Sequence, residues 1–263
     1  MGRAKDIIVK PISCKDARRI ICSIHYSGKV ANTSRIHFGV FLDGICGGAL
    51  SFGSPIDKRK MQGLVTDTGW NSFLELNRMA FADWLPRNGE SRAISVCMNL
   101  IQKSYPHIEW IVSFADACQC GDGTIYRASG FVLTAIKPNR TMWRLPTGEI
   151  MADLMVRQSW DFKWAQKKFG IKAGEKWSHF SKRIGATRLP GFQLRYIYFL
   201  DPTSRERLTV PIIPFSEIEK RGAKMYKGKR PAGEKVSHPA IQSEVGGSIP
   251  TAGLDKRKQL IKF

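Results

Sequence analysis

The sequence predicts an α+β protein in which a mixed central sheet is flanked by helices and followed by a basic C-terminal extension. Apolar strands and helices with one apolar face alternate between about residues 13 and 136, a pattern typical of a sheet covered by helices. The 263 residues are 43% hydrophobic, which is enough to bury one core. Beyond Trp143, Trp and Lys residues are interleaved, and we expect the extension there.

The first predicted elements are a helix and a hairpin. Ser13 can cap a helix that runs to about Ser23 and has isoleucines on its apolar side. Residues 36–41 and 45–50 are apolar runs on either side of the turn pair Asp43-Gly44. Two such runs joined by an Asp-Gly turn predict a β-hairpin.

The next elements alternate between strands and helices. After a polar loop, the pattern predicts a strand over 73–84, a helix over 93–103, a strand over 108–114, a helix over 123–129 and a strand over 131–136. The first two of these strands end in polar residues. We therefore expect ionisable groups at one lip of the sheet, where α/β proteins place their chemistry.

The chain divides into three predicted parts: a catalytic core over 1–156, a basic Trp-containing extension over 157–222 and a tail over 223–263. In the extension, residues 193–200 and 207–213 flank an Asp-Pro-Thr turn and predict a hairpin packed on the core. The tail is rich in Lys, Gly, Pro and Ser, a composition that predicts disorder.

Basic charge is concentrated in the C-terminal two-fifths of the chain. Residues 157–263 hold 23 Lys and Arg against 9 Asp and Glu, whereas residues 1–156 hold 19 against 13. Lys and Arg that contact phosphates release condensed counterions, so we expect a polyanion to bind here, with a merely solubilising surface as the alternative. The expected nucleic-acid contacts are Lys163, Lys167, Lys168, Lys172 and Lys176, interleaved with Trp160, Trp164 and Trp177.

The sequence gives no indication of a membrane protein, a secreted protein or a metal-binding protein. No apolar run approaches the roughly 20 residues of a membrane span, and the N-terminus lacks the apolar core of a signal peptide. We therefore expect a soluble intracellular protein that does not contact membrane. The cysteines show no repeated CxxC spacing, so neither a zinc module nor a disulfide framework is indicated. Cys118-Gln119-Cys120 is better explained as a loop than as a metal or redox site.

Four motifs, in this order and spacing, resemble the Mom family of bacteriophages: His25-Tyr26-Ser27, residues 74–81, Phe114-Ala115-Asp116 and residues 123–131. The likeness runs over roughly residues 20–215. The element order also resembles the acetyltransferase-like (GNAT) fold, in which two neighbouring parallel strands separate around an acyl donor. The resemblance implies a transferase, a DNA adenine methylcarbamoylase, acting on double-stranded DNA in the cytoplasm of the bacterial host. Its product would be a carbamoylmethyl (acetamido) derivative of the exocyclic amine, which protects phage DNA from host restriction.

The resemblance favours five residues as the catalytic set: His25, Tyr26, Arg78, Asp116 and Tyr126. Tyr126, on the first turn of a short helix, can protonate a leaving group, or it can simply pack with its hydroxyl at the surface. Asp116, at the end of a strand, can orient or deprotonate an amine, or it can cap a turn. His25 and Tyr26 can stack on an extruded base and hydrogen-bond its edge, although a lone His is more often a structural residue with its bonds satisfied inside the protein.

Arg78 lies inside an otherwise apolar strand, where an unpaired guanidinium would be costly. It therefore needs a partner. The alternatives are an internal carboxylate, from Glu75 or Asp116, and a phosphate or carbonyl of the substrate.

The donor of the transferred group is less defined. Arg87, Gly89 and Arg92 keep part of the Arg/Gln-x-x-Gly-x-Gly/Ala loop that holds pyrophosphate in acetyltransferases, whereas Glu90 departs from it. An acetyl-CoA-like donor is one alternative. However, plain acetyl transfer does not leave a methylene on the base nitrogen. Our hypothesis is that a glycyl unit is transferred from glycyl-tRNA, and that its amine then attacks the purine ring carbon and expels the original nitrogen as the terminal amide. A requirement for metal stays open.

Two other functions remain open from the sequence. One is a coenzyme A-dependent N-acetyltransferase of protein or small-molecule amines. The other is a non-enzymatic nucleic-acid-binding protein in which the three tryptophans of the extension stack on bases.

Overall fold

The computed structural model describes residues 2–153, 167, 170–172, 175–225 and 229. Ten strands lie in this part of the chain: β1 (Ile8–Pro11), β2 (Ser34–Leu42), β3 (Ile45–Gly53), β4 (Phe73–Phe81), β5 (Trp110–Ala117), β6 (Val132–Pro138), β7 (Met142–Arg144), β8 (Ile150–Ala152), β9 (Thr187–Arg188) and β10 (Phe192–Phe199). The α-helices described are α1 (Cys14–Ile24), α2 (Lys58–Gln62), α3 (Gly89–Ser104), α4 (Thr124–Ala128), α5 (Trp177–Arg183) and α6 (Ser216–Lys220).

Seven of the strands form one mixed sheet in the order β1-β2-β3-β4-β5-β10-β6. The β4–β5 pair is parallel, and every other neighbouring pair in this sheet is antiparallel. The predicted α+β class and mixed sheet are therefore confirmed. The parallel pair arises because α3 carries the chain from the end of β4 back to the start of β5.

The predicted first helix and hairpin are confirmed. The Ser13 side chain accepts a hydrogen bond from the backbone N–H of Asp16 at 3.1 Å, as an N-cap should. Asp43 and Gly44 both have positive φ, 51° and 77°, which the twist of a two-residue hairpin turn requires. Several boundaries differ from prediction by a few residues; for example, β4 ends at Phe81, α3 begins at Gly89 and β5 ends at Ala117. The polar first turn of α3 carries no apolar periodicity that could have marked it.

Helices cover both faces of the sheet. On one face, α3 and α4 bury the largest core cluster, which includes Ile94, Met98 and Ile101. On the other face, α1 buries Ile20 and Ile21 against β2, β3 and β4. Strand β1 lies at the edge of the sheet beside β2, and it was not predicted.

The predicted hairpin in the extension is wrong. Strand β10 lies between β5 and β6 and pairs with both of them along its length. Residues 207–213 instead run along the loop after α2, where they form a single bridge between Leu208 and Val65. A strand pattern predicts that a segment is extended but does not identify its partner. Part of the predicted extension therefore belongs to the central sheet.

A second, smaller sheet with the order β8-β7-β9 follows β6. Helix α5 packs on it through a buried cluster that contains Leu145, Met151, Trp177 and Phe180. The Asn139 amide donates to the carbonyls of Met142 and Leu189, and so ties the small sheet to the end of β6. No helix in the described ranges is long and apolar enough to cross a membrane.

Candidate functional site

The site lies where the two parallel strands of the central sheet separate. β4 and β5 pair only from Phe73 to Glu75 and from Trp110 to Val112. Just beyond, the Ser113 hydroxyl donates to the Leu76 carbonyl at 3.3 Å, so a side chain takes the place of the lost backbone bond. Farther along, β4 stays with β3 and β5 stays with β10, which leaves a gap between them.

The end of α1 brings His25 and Tyr26 over this gap. The helix ends at Ile24, and the two rings stack with centroids 4.3 Å apart. Tyr26 is 53% exposed, while its hydroxyl lies 3.5 Å from a carboxylate oxygen of Asp116 on β5. Two residues far apart in the sequence are thus brought together, while about half of the Tyr26 surface stays exposed.

His25 is neutral at physiological pH. Burial, with a smaller contribution from the charge of Arg78, lowers the pKa of His25 to about 4. Its Nδ1 accepts a hydrogen bond from the backbone N–H of Ser27 at 3.1 Å. Because an accepting nitrogen carries no proton, the proton of the neutral ring is on Nε2. His25 therefore offers a hydrogen-bond donor to a ligand at the gap.

Asp116 is held by neutral donors on several sides. Its carboxylate accepts hydrogen bonds from the Cys118 backbone N–H at 3.0 Å, the Gln193 amide at 2.9 Å, the Gln119 amide at 2.8 Å and the Tyr26 hydroxyl at 3.5 Å. A turn-capping role, one of the two alternatives from the sequence, is thus present. The same bonds fix the carboxylate beneath Tyr26.

Tyr126 is a buried phenol beside the gap. Burial raises its pKa to about 12, although a hydrogen bond with Ser113 acts in the opposite direction. The ring packs against Phe131 and Tyr196 at centroid distances of 5.3 and 5.2 Å. The side chain is therefore fixed in position, protonated at neutral pH and able to donate a proton.

Arg78 bonds to backbone carbonyls. Its Nε donates to the Lys29 carbonyl at 3.0 Å and a terminal nitrogen donates to the Asn77 carbonyl at 2.6 Å. These bonds do not involve an internal carboxylate, one of the two partners that the sequence left open; the guanidinium instead ties the loop between α1 and β2 to β4. This is the loop that follows His25 and Tyr26, so Arg78 helps to position both.

Sequence reasoning missed three members of the cluster. Glu75 entered the prediction only as a partner for Arg78, although a carboxylate in an apolar strand was a signal of its own. Gln119 was noted only as part of a loop. Gln193 had no local signal, because it reaches Asp116 only through the insertion of β10 beside β5.

A cleft beside α3 matches part of the predicted donor site. It has a volume of about 350 Å³ and its lining includes Lys5, Ser91, Arg92 and Ser129. Of the two arginines predicted to hold the donor, Arg92 lines this cleft, whereas Arg87 is exposed outside its lining. Gly89 donates its N–H to the Pro86 carbonyl, and a Cβ there would lie 2.9 Å from Ile7. Gly89 therefore has a packing role.

The predicted nucleic-acid contacts are only partly described. Lys167, Lys172 and Lys176 are exposed. Lys163, Lys168, Trp160, Trp164 and the tail beyond residue 229 lie outside the described residues. The prediction that Trp177 stacks on bases is wrong, because its side chain is buried against Trp143 and Phe180.

Solved acetyltransferase structures show a distant similarity to this chain. An IAA acetyltransferase from Bacillus cereus is 10% identical over 73% of this chain and 99% of that one, with a TM-score of 0.38. An N-acyl amino acid synthase from uncultured soil microbes is 14% identical over 77% and 95%, with a TM-score of 0.42. Both scores are low, and the strand order described above does not depend on them.

Comparison with curated proteins and family models is more specific. The chain is 42% identical over 129 residues to the methylcarbamoylase Mom of Escherichia phage Mu. That alignment covers 49% of this chain and 53% of the relative, so the chain spans about half the length of the curated relative it matches. The model of the Mom protein family matches residues 6–217, which include every residue of the gap described above. The chain belongs to the Mom protein family.

Proposed function

We propose that this protein is a DNA-modifying transferase that converts the exocyclic amine of adenine in duplex DNA to its carbamoylmethyl derivative, which protects phage DNA from restriction. The observation that carries the proposal is the cluster of His25, Tyr26, Asp116 and Tyr126 at the strand gap of a Mom family member. The relative in phage Mu is named a methylcarbamoylase, which agrees with the proposed group transfer.

The geometry suits a base that has left the duplex. The exocyclic amine of adenine is paired inside the stack, so a site at the lip of a sheet reaches it only after extrusion. The exposed face of Tyr26 can stack on the base, and Nε2 of His25 can donate to its edge. Asp116 fixes Tyr26, and Tyr126 can protonate the group that leaves the acyl donor.

The acyl donor is proposed to reach the gap from the α3 side. Lys5 and Arg92 make the cleft there basic, and its serines can donate hydrogen bonds, so it fits a phosphate-bearing donor. Coenzyme A and the acceptor end of glycyl-tRNA share this chemistry. When bound, either would supply an activated carbonyl carbon. The glycyl donor accounts for the methylene and terminal amide of the product, whereas an acetyl donor does not.

Duplex DNA is proposed to bind at the small sheet, which lies at the same end of β5 as the gap. Exposed Lys172, Lys176, Lys182 and Arg188 give this region its positive charge. Replacing the three lysines with Ala should flatten the salt dependence of DNA binding by about 2 to 3 in logarithmic slope. Lys103→Ala, at the far end of α3, is the control, and an unchanged slope would place the DNA elsewhere.

Mass spectrometry of nucleosides tests the function. DNA from cells that express the chain should contain a deoxyadenosine enlarged by a carbamoylmethyl group, and DNA from cells that express Tyr126→Phe should contain almost none. An acetylated protein or small-molecule amine with unmodified DNA would support the acetyltransferase alternative. Tight DNA binding without any product would support a binding protein.

A further inference from the structure

One face of strand β5 is covered at the paired end and open beside the gap. Trp110 and Val112 are fully buried on this face, in a cluster with Met61 of α2. Because the side chains of a strand alternate between its two faces, Phe114 and Asp116 lie on the same face as these two residues. Phe114 is nevertheless 39% exposed. The cover of this face thus ends after Val112, and an aromatic ring on an inner strand is open to a ligand.

Phe114 lies next to residues of the gap. Asp116, which is hydrogen-bonded to the Tyr26 hydroxyl, is two positions further along β5, or about 7 Å away. On β10, Gln193 lies opposite Asp116 and donates a hydrogen bond to it. Arg195 lies opposite Phe114, and directly opposite residues share a face with Cβ atoms about 5 Å apart. The side chains of Phe114, Asp116, Gln193 and Arg195 therefore form one open floor, with Tyr26 at its Asp116 end.

Arg195 is oriented by an irregularity in β6. The register of β10 against β6 shifts between Arg195 and Tyr196, which makes Thr134 the extra residue of a β-bulge. The Thr134 hydroxyl accepts a hydrogen bond from Nε of Arg195 at 2.9 Å, and its carbonyl accepts one from a terminal nitrogen at 3.3 Å. Within residues 2–153 and 175–225, no carboxylate forms an ion pair with this partly buried guanidinium. Since Arg stays charged in proteins, an anion from a ligand would offset the cost of its burial.

The pair of an open aromatic ring and an adjacent guanidinium matches the two parts of a nucleotide. A base stacks on aromatic side chains, and a guanidinium binds phosphate oxygens through parallel hydrogen bonds. The DNA strand is the expected source of this nucleotide, because the basic cleft for the donor is lined from α3 and α4, on the opposite face of the sheet. Exposed Lys137 lies opposite Gln193, and the chain continues from there into the small sheet. A strand of DNA can thus extend from the floor to the surface proposed for the duplex.

We propose that Phe114 and Arg195 form a subsite for the target nucleotide, in which the Phe114 ring packs on the extruded adenine and the Arg195 guanidinium binds the phosphate on its 5′ or 3′ side. This inference rests on the proposed function. Tyr26 contacts the same base from the Asp116 end of the floor. Phe114 and Arg195 take no part in the chemistry and position the exocyclic amine at the gap. Because capture of the base precedes any transfer, DNA binding alone measures the subsite.

The first test measures the affinity of the purified protein for short duplexes in which one adenine is either paired with thymine or opposite an abasic site. The adenine is placed between every combination of neighbouring bases. Extrusion of a paired base costs a few kcal/mol, so wild type should bind the abasic duplex about tenfold or more tightly than the paired one. Phe114→Ala should reduce this ratio about fivefold or more, as expected for the loss of a stacking partner. Phe215→Ala, which removes a ring of similar exposure beside Arg127, should leave the ratio unchanged.

The second test replaces one phosphate of the abasic duplex with a neutral methylphosphonate, on the 5′ or the 3′ side of the adenine. One of the two replacements should weaken wild-type binding about tenfold. No donor is present, so any effect comes from the DNA strand and not from a phosphate of the donor. Arg195→Gln should be insensitive to the same replacement, and Arg195→Lys, which keeps the charge, should be partly sensitive. Arg205→Gln, at an exposed position beyond β10, should stay as sensitive as wild type.

Melting temperatures close to wild type show that the variants are folded, and the methylphosphonate effect on wild type needs no variant. The subsite is overturned if wild type binds both duplexes equally, if Phe114→Ala keeps the full ratio, or if neither methylphosphonate weakens binding. Modified deoxyadenosine in DNA from expressing cells tests the proposed function separately. If it is absent while both binding tests succeed, the proposed function fails and the nucleotide subsite stands. If it is present while either binding test fails, the proposed function stands and the subsite does not.

Discussion

Strands β4 and β5 run parallel, but the end where they pair and the end where they separate carry different side chains. At the paired end, Phe73 and Trp110 stack at 4.5 Å, and Trp110 has no exposed surface. Beyond Glu75 the separated strands carry Arg78 and Asp116. The comparison teaches that the same pair of strands is a packed core where they pair and a cluster of polar side chains where they separate.

The separation has a physical cost that the sequence meets locally. Paired strands satisfy each other's backbone groups, whereas separated strands must find other partners. Here the Ser113 hydroxyl, the Arg78 guanidinium and the Gln193 amide supply such partners or bridge to them. Side chains at this end therefore take the place of part of the backbone pairing that the separated strands lack.

The largest effect should come from the paired end. Trp110→Ala removes the stack on Phe73 and the hydrogen bond from the indole to Thr68 at 3.1 Å. The expected loss is about 3 to 5 kcal/mol of unfolding free energy, as for other large aromatic deletions in cores. Urea denaturation measures it. A loss below about 1 kcal/mol would mean that this end is not the structural one.

Tyr126→Phe, in contrast, should leave stability nearly unchanged and reduce activity. The ring keeps its contacts with Phe131 and Tyr196, so stability should stay within about 1 kcal/mol of wild type. Loss of the phenol proton should slow modification by about 10²-fold or more. Tyr196→Phe is the matched control, because it removes the hydroxyl that donates to the Asp122 carbonyl. That variant should lose stability and keep activity, and the reverse result would exchange the two roles.

Glu75→Gln tests whether the Glu75 carboxyl group, where β4 and β5 begin to separate, is buried from water; the pH dependence of stability is the measurement. The pKa of Glu75 is about 7 when folded and near 4.5 when unfolded, so the folded state binds more protons between these values and wild-type stability falls as pH rises through them. Gln removes that fall. One pKa unit corresponds to about 1.4 kcal/mol, so the variant should exceed wild type by up to about 3 kcal/mol at pH 8 and by less than about 1 kcal/mol at pH 5. An equal difference at both pH values would show that Glu75 is not desolvated.

Local sequence patterns predicted most of the strands, but they could not predict the order of the strands in the sheet. The Asp43-Gly44 turn and the Ser13 cap are short-range signals, and both elements formed as expected. Strand β10 lies between β5 and β6, and the local pattern of Phe192–Phe199 does not identify these neighbours. The error over Trp177 has the same origin, because its burial depends on three short strands that lack any clear periodicity.

The same reasoning explains which site residues the sequence could show. Tyr26, Asp116 and Tyr126 lie at the ends of predicted elements, where polar residues are conspicuous. Gln193 was invisible because its contact with Asp116 spans 77 positions. Glu75 was visible but was assigned as a partner for Arg78, and only the structure shows that the Arg78 guanidinium donates to backbone carbonyls instead.

Tyr26→Ala should give the smallest effect on the protein and the most specific effect on the substrate. Tyr26 is 53% exposed, so its loss should barely change stability. A 2-aminopurine at the target position should brighten when wild type binds, because the base leaves the stack. Loss of one aromatic stacking partner costs about 1 kcal/mol or more, so the rise should shrink several-fold in Tyr26→Ala. Tyr105→Ala, at the far end of α3, should leave the rise unchanged. If the DNA is bound and modified without any brightening, extrusion is not the access route, and the exposed face of Tyr26 serves another purpose at the open end of the pair.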